Sequence, residues 1–477
     1  MFNTAARSGG EAIRADLRAH QLGLTHERVI FSSLLLVIGL AAVPFGSVEP
    51  WWEGIFESAI FLLGACFLIT SMIDRQYQIE NVSAPLIALI VFAVLQTVPF
   101  WSGNPSPELL AGQSQTISVD PFETRRFAIK LLALSLTLIM LLRYVSTRRR
   151  LLLLADVVII VGAASAAFAI WRKVSPTTWL ALLGNNKLQG ESFGQFMNRN
   201  HFAVLMEMAF GVALGLASYS GLRLRRYLYS AVALGLCIAL IMANSRGGII
   251  SMLGQVGFLA WIGFSRVSVQ SVDDDARDQR SRRRSFWGRT RLLALRCFLI
   301  VVLLGAALSS VFLLGGESVR HRLESVPSEF RAQRVEVENQ SPRRLEIWTS
   351  TLRLIEAHPL VGSGFGAYQT AIMKYFEAGS DWRPQQAHND YLEFASGGGI
   401  VGAVLGIWLV LYLIRNVNAC LLNADAFRRA VCFGALIGLV GVAVHSLVDF
   451  GLHVMANALI CCGLVALAIA KPQITWQ

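Results

Sequence analysis

Charge is scarce in this chain. Of 477 residues only 15% are Asp, Glu, Lys or Arg, 54% are hydrophobic, and mean hydropathy is +0.53. Soluble domains carry close to a quarter charged residues, so an ordinary soluble fold is excluded and an integral membrane protein is expected. Cysteine offers no chemistry. The seven (Cys66, Cys237, Cys297, Cys420, Cys432, Cys461 and Cys462) lie in or beside apolar segments without ligand-like spacing, which supports neither a disulfide framework nor a zinc site. No internal repeat is visible, which argues against a fold of two closely similar halves. The first apolar run is followed by no small-residue cleavage site. The polar residues 1–28, with Arg7, Arg14, Arg18 and Arg28, therefore read as a retained cytoplasmic tail rather than a signal peptide.

What is present is a series of apolar runs of spanning length, near residues 29–46, 55–73, 82–101, 126–145, 150–171, 201–220, 226–243, 247–265, 292–315, 389–414, 427–446 and 450–470. An all-α, polytopic fold of about twelve transmembrane helices is expected. The net charge of +11 sets its orientation. With a cytoplasmic amino terminus, 25 of the 42 Lys and Arg fall on inner segments and 8 in short outer loops, as basic residues do in membrane proteins. Both termini are then cytoplasmic, and no nucleic-acid partner is needed to explain the charge. The expected division is a tail over 1–28, helices one to nine over 29–315, a large outer loop over 316–388, helices ten to twelve over 389–470, and a cytoplasmic end over 471–477. The basic cytoplasmic loop at 266–291 reads as a linker touching anionic headgroups.

Four polar stretches fall on the outer side: Met197-Asn198-Arg199-Asn200-His201, Asn244-Ser245-Arg246-Gly247-Gly248, Gln386 to Glu393, and His445-Ser446-Leu447-Val448-Asp449. Polar groups at membrane depth are costly and usually line a working cavity. Arg246 sits in a tight turn whose glycines allow a ligand close to the backbone, although an arginine there also snorkels to headgroups. The same choice stands for Arg199 and His201. His388 has a side chain suited to taking a proton near neutral pH. Asp390 and Glu393 have capping-box spacing, so amide capping is as good an account of them as catalysis. His445, Asp449, His453 and Asn457 recur at intervals of four. A twelfth helix starting near Asp449 places the last three on one face, where interhelical hydrogen bonding is the plain explanation. Their convergence is too loose to indicate a metal site.

Within the large loop a helix is expected from Ser341-Pro342 to His358-Pro359. Leu345, Trp348, Leu352 and Ile355 form its apolar stripe, with Arg344 flanking the buried face and Arg343 facing solvent. A helix lying on the membrane surface would show the same stripe. The following Gly362-Ser363-Gly364-Phe365-Gly366 has the wrong spacing for a dinucleotide fingerprint and reads as a flexible hinge. Arginines beside a histidine at the outer surface suit a phosphate near the headgroups, because guanidinium pairs with phosphate in a fork. A diphosphate on a long lipid carrier fits that position.

Phe196 to Phe202, Asn244 to Gly248, Arg344 with Trp348 and Pro359 to Gly364, His388 to Glu393, and His445 to Phe450 together resemble the bacterial O-antigen ligase and O-antigen polymerase family, over roughly residues 190–460. The resemblance implies a glycosyltransferase C-like fold in the bacterial inner membrane with the outer loop in the periplasm. It implies an inverting glycosyltransferase that uses no metal and no cofactor. The donor would be a glycan on undecaprenyl diphosphate, and the acceptor a lipid A core or a lipid-linked saccharide, in contact with membrane lipids. By that similarity Arg246, Arg344 and Arg199 bind the diphosphate, and His388 orients or deprotonates the acceptor hydroxyl. Asn389, Asp390, Asn244, His201, His445 and Asp449 support them. The competing expectation is a twelve-helix transporter or flippase of lipid-linked glycans. Transporters place ionisable groups near the midplane, and here Glu207 is the main charged residue well inside a span.

Overall fold

The computed structural model describes residues 26–73, 82–99, 116–174, 192–219, 223–273, 344–376, 383–422 and 425–471, and the statements below concern these. The expected ninth span at 292–315, the expected loop residues 316–343 with Arg343, and most of the basic loop lie outside them.

Among the described residues the fold is helical, with one isolated bridge between Phe193 and Phe196. We name the helices α1 (residues 26–40), α2 (Pro50–Ile73), α3 (Ser83–Leu95), α4 (Pro121–Tyr144), α5 (Arg148–Val174), α6 (Arg199–Tyr219), α7 (Arg223–Met242), α8 (Arg246–Asp273), α9 (Arg344–Ala357), α10 (Tyr368–Ala371), α11 (Asp390–Leu421), α12 (Ala426–His445) and α13 (Met455–Ile469). Seven of them, α2, α4, α5, α6, α7, α11 and α12, are long and apolar enough to cross a membrane. Local sequence sets their ends. Asp120 caps α4 by accepting the Glu123 amide, with Pro121 at the first helical position.

Burial separates the helices into an inner and an outer set. α6 is buried along almost its whole length, from His201 to Ala217. α2 and α11 instead expose large apolar side chains such as Leu62, Ile69, Val404 and Leu411. Exposed apolar surface on this scale is stable in lipid, where helices associate through packing of small residues rather than through hydrophobic burial.

The inner contact shows how. Gly211 and Gly215 on α6 face Gly438 and Gly434 on α12, both pairs at a spacing of four. A Cβ on Gly215 would stand 2.5 Å from the Gly434 Cα, and one on Gly211 would collide with the Gly438 amide. The backbones therefore touch. Gln255 of α8 clips both, donating to Glu207 O at 3.0 Å and to Ile437 O at 3.1 Å. The chain directions follow: the starts of α6, α8, α11 and α13 and the end of α12 share one pole of the bundle. At the opposite pole the buried Arg428, in the first turn of α12, donates to the carbonyls of Leu467, Ala468 and Ala470 at the end of α13. A cation there answers both the unpaired carbonyls and the negative end of the helix dipole.

Two expectations change in the segment before α11. The buried face of α9 consists of Ile347, Ser350, Thr351 and Leu354, while Leu345 and Leu352 are exposed. The face is rotated by roughly 130° from the expected stripe at 100° per residue. The reason is the partner: α9 packs on a small cluster of Tyr368, Ile372 and Ala387. Arg344 flanks either face and is exposed at the helix start.

The glycine segment is not a hinge. Ser363 and Gly364 donate to Ser396 O and Gly397 O of α11 at 2.9 and 3.1 Å, and Ile400 and Val401 donate back to Pro359 O and Leu360 O. α11 is broken at Gly399 (φ 57°), and the inserted segment takes up the backbone groups that the break releases. Gly362, at φ 70°, lies so close to Gly397 that a Cβ would strike its carbonyl.

Candidate active site

The four polar stretches meet at the shared pole. Ser245 Oγ donates to Asn200 Oδ1 at 2.8 Å, joining the starts of α8 and α6. Asn457 Nδ2 donates to His201 O at 3.0 Å. The His445 ring packs against Gly247, and His388 Nδ1 lies 3.3 Å from Asp449 Oδ1.

His388 occupies a left-handed backbone conformation, φ 50°, which is uncommon for a residue with a side chain. Its neighbours hold it there. Trp348 Nε1 of α9 donates to Ala387 O at 3.0 Å, and the Ala387 amide donates to Glu393 Oε2 at 2.8 Å. On the other side Asn389 caps α11, accepting the amides of Tyr391 and Leu392, and its own amide group donates to Leu447 O. Asp390 N donates to Ser446 O, and Ser446 Oγ donates to Asp390 Oδ2 at 2.7 Å.

Capping therefore falls to Asn389. The two acids assigned that alternative role have others: Glu393 pins the strained turn, and Asp390 ties α11 to the end of α12. His453 Nε2 lies 3.4 Å from Asp390 and 3.6 Å from Glu393.

The imidazole of His388 is about 29% exposed, whereas Asp449 is 1% exposed. Burial alone would raise the Asp449 carboxyl. The hydrogen bond from His388 and the nearby His201 and His445 outweigh it and hold the group well below the usual carboxylate range. Phe450 packs its ring edge-to-face with His388 and His201, at 4.9 and 5.0 Å, and fixes both.

The expected single face of Asp449, His453 and Asn457 does not exist. α13 starts at Met455, and residues 451–453 form a short 3-10 turn, so Asp449 turns to His388 while Asn457 bridges His201 O and Gly451 O. The histidine-rich turn takes the place of the first helical turn.

Arg199 and Arg246 are half-buried at the first residues of α6 and α8. Asn244 precedes α8 in a left-handed conformation, φ 52°, and Ser245 Oγ accepts the Gly248 amide at 3.0 Å. Arg344 lies one turn from Trp348, whose indole bonds the residue next to His388. Among the described residues no three of His, Cys, Asp and Glu converge as a metal site.

Sequence reasoning gave Glu207 no part here. It is fully buried one turn before Gly211, where the glycine contact brings it 2.7 Å from His445 Nδ1. The only local signal was its charge inside an apolar span.

Helices of spanning length around a buried polar pole define a polytopic membrane protein with polar groups gathered at one end. Residues 230–407 match the family model described as O-Antigen ligase, which supports the resemblance to the O-antigen ligase and polymerase family. No curated protein matches the chain. The matched segment contains Asn244, Arg246, Arg344, His388, Asn389 and Asp390, and ends before His445 and Asp449.

Proposed function

We propose that this O-antigen ligase-type membrane glycosyltransferase moves a glycan from undecaprenyl diphosphate to an acceptor sugar hydroxyl on the periplasmic face. Twelve spans, with both termini in the cytoplasm, give that orientation. The observation that carries the reading is the His388–Asp449 pair at the pole where the starts of α6 and α8 also lie. With Asp449 charged, Nδ1–H is directed at its carboxylate and Nε2 keeps a lone pair. That nitrogen takes the acceptor proton as the hydroxyl oxygen attacks the anomeric carbon. The bond from that carbon to the phosphate oxygen breaks with its electron pair, and the diphosphate leaves from the opposite face. Attack opposite the leaving group inverts the centre.

Arg246, Arg344 and Arg199 stabilise the departing charge, a role for which guanidinium suits phosphate. No step uses a metal. The acceptor is a lipid A core or a second lipid-linked saccharide. Glu207, the residue that favours a transporter when read alone, is instead committed to His445 at the same pole.

Purified protein with a lipid-linked glycan and an acceptor saccharide tests the reading: transfer is expected without nucleotide or added metal. Its absence, with folded protein and both substrates present, would overturn it. In cells lacking the gene, full-length polymer held on the carrier identifies a ligase, and acceptors bearing single repeats identify a polymerase.

A further inference from the structure

His445 is 1% exposed and Glu207 fully buried, and their contact at 2.7 Å uses only Nδ1 and one carboxylate oxygen. His445 Nε2 is buried without a hydrogen-bond partner. It is the atom nearest to the place a Cβ on Gly247 would take, 2.6 Å away, so the ring points at the first turn of α8. That turn is fixed by Ser245, whose hydroxyl and carbonyl accept the amides of Gly248 and Ile249. Arg246 is its first residue.

The proton count decides what Nε2 can do. A buried pair is favoured when its net charge is zero, because an uncompensated charge in this environment is costly. Glu207 and His445 are neutral together when they hold two exchangeable protons. If the carboxylate is ionised, the imidazolium carries a proton on each nitrogen. If the carboxyl is protonated, it donates to Nδ1 and the remaining proton sits on Nε2. In both of these arrangements Nε2 carries a hydrogen, whereas a carboxyl proton on the other oxygen, with a hydrogen on Nδ1, would leave it a lone pair. A buried donor without a partner is costly, and here it faces a helix start, where anions bind.

We propose that Glu207 and His445 present the Nε2 hydrogen as a donor to a phosphate oxygen of the lipid diphosphate, at the first turn of α8 beside Arg246. The inference rests on the reading of Arg246 as a diphosphate ligand. Glu207 is then a positioning residue acting through His445, and Gly247 is a glycine because the imidazole occupies the space of a side chain.

Two substitutions separate this role from a merely structural bridge. Asn places its amide nitrogen near Nδ1, so H445N keeps the bond to Glu207 and loses the Nε2 donor. Gln places its amide nitrogen near Nε2, so H445Q keeps the donor and loses the bond. Affinity for undecaprenyl diphosphate is measured on the full-length protein in lipid nanodiscs.

We expect H445N to weaken binding by about tenfold or more, the scale of a charge-assisted hydrogen bond, and H445Q to stay within about threefold. A structural bridge gives the reverse order, which would overturn the proposal, as would wild-type affinity in H445N. Spectra of isotope-labelled histidine in the wild-type protein give a check independent of any variant's folding. The Nε2 resonance of His445 should move when undecaprenyl diphosphate is added, and a stationary resonance would overturn the proposal. The R246A variant distinguishes the two layers. Weaker binding there, with H445N unaffected, removes this inference alone, whereas unchanged binding in R246A removes the diphosphate reading on which it rests.

Discussion

The two poles of the bundle solve the same physical problem in opposite ways. Each buries charge. At the α13 terminus, Arg428 spends its donors on three backbone carbonyls. At the other pole the side chains of His201, Glu207, His445, Asp449 and Asn457 each keep a buried polar atom without a hydrogen-bond partner. A satisfied charge at a helix end is a structural fastening. Unsatisfied groups gathered from α6 and from residues 445–457 are costly to the fold and are the ones a substrate can use. The difference teaches that satisfaction of hydrogen bonds, rather than charge itself, tells anchoring residues from working ones.

Substitutions at the two poles test that contrast. The largest effect is expected from His388→Ala: turnover of lipid-linked donor should fall by about 10²–10⁴-fold, the range that a positioned general base supplies. Near-normal turnover in the folded variant would remove His388 from the chemistry. Arg246→Ala should lower turnover by about 10²–10³-fold, as when a preorganised donor to a developing anion is removed. Arg344→Ala should cost less, because Arg344 is exposed at its helix start while Arg246 is half-buried. The opposite ranking would mean that α9 carries the principal phosphate contact.

Asp449→Asn should cost about a hundredfold in turnover by releasing the His388 ring. It also has a pH signature. Because the folded protein holds this carboxyl below its ordinary value, Asp449 contributes stability that is present in full above about pH 4 and is lost as pH falls through the folded value. The gap in thermal unfolding midpoint between wild type and variant should thus stay flat from pH 8 to 5 and narrow only below about pH 4. A gap that closes at neutral pH would show that Asp449 is not the charged partner of His388. The smallest effect on turnover belongs to the other pole. Arg428→Met should lower the unfolding midpoint, since it strands carbonyls worth about 1–3 kcal/mol each when buried and unpaired, yet leave activity per folded molecule unchanged. A loss of turnover without loss of stability would erase the contrast between the poles.

Much of this arrangement was legible along the chain. Apolar runs located the helices, and His388, Arg246 and Asp449 stood out as polar groups bordering them. Three features were not. The face of α9 followed from its packing on Tyr368 and Ile372, which hydropathy cannot reveal because Leu345 and Leu352 are as apolar as the residues that are buried. The glycine run at 362–366 reads as flexible until the broken turn at Gly399 is there to bind it. The third was Glu207, which read alone inside an apolar span suggests transport and paired with His445 belongs to the pole where the polar stretches meet.

The sequence by itself determined a helical membrane protein, the approximate positions of the seven spanning helices among the described residues, and the polar stretches that meet at one pole. These depend on hydropathy and charge, which act locally and repeat with the helix. Only the tertiary structure decided the partnerships: Asp449 for His388, Glu207 for His445, Gly434 and Gly438 for Gly215 and Gly211. Such pairs join residues far apart in the chain. They form because glycine lets two particular backbones touch, and no periodicity within either helix records which helix the other will be.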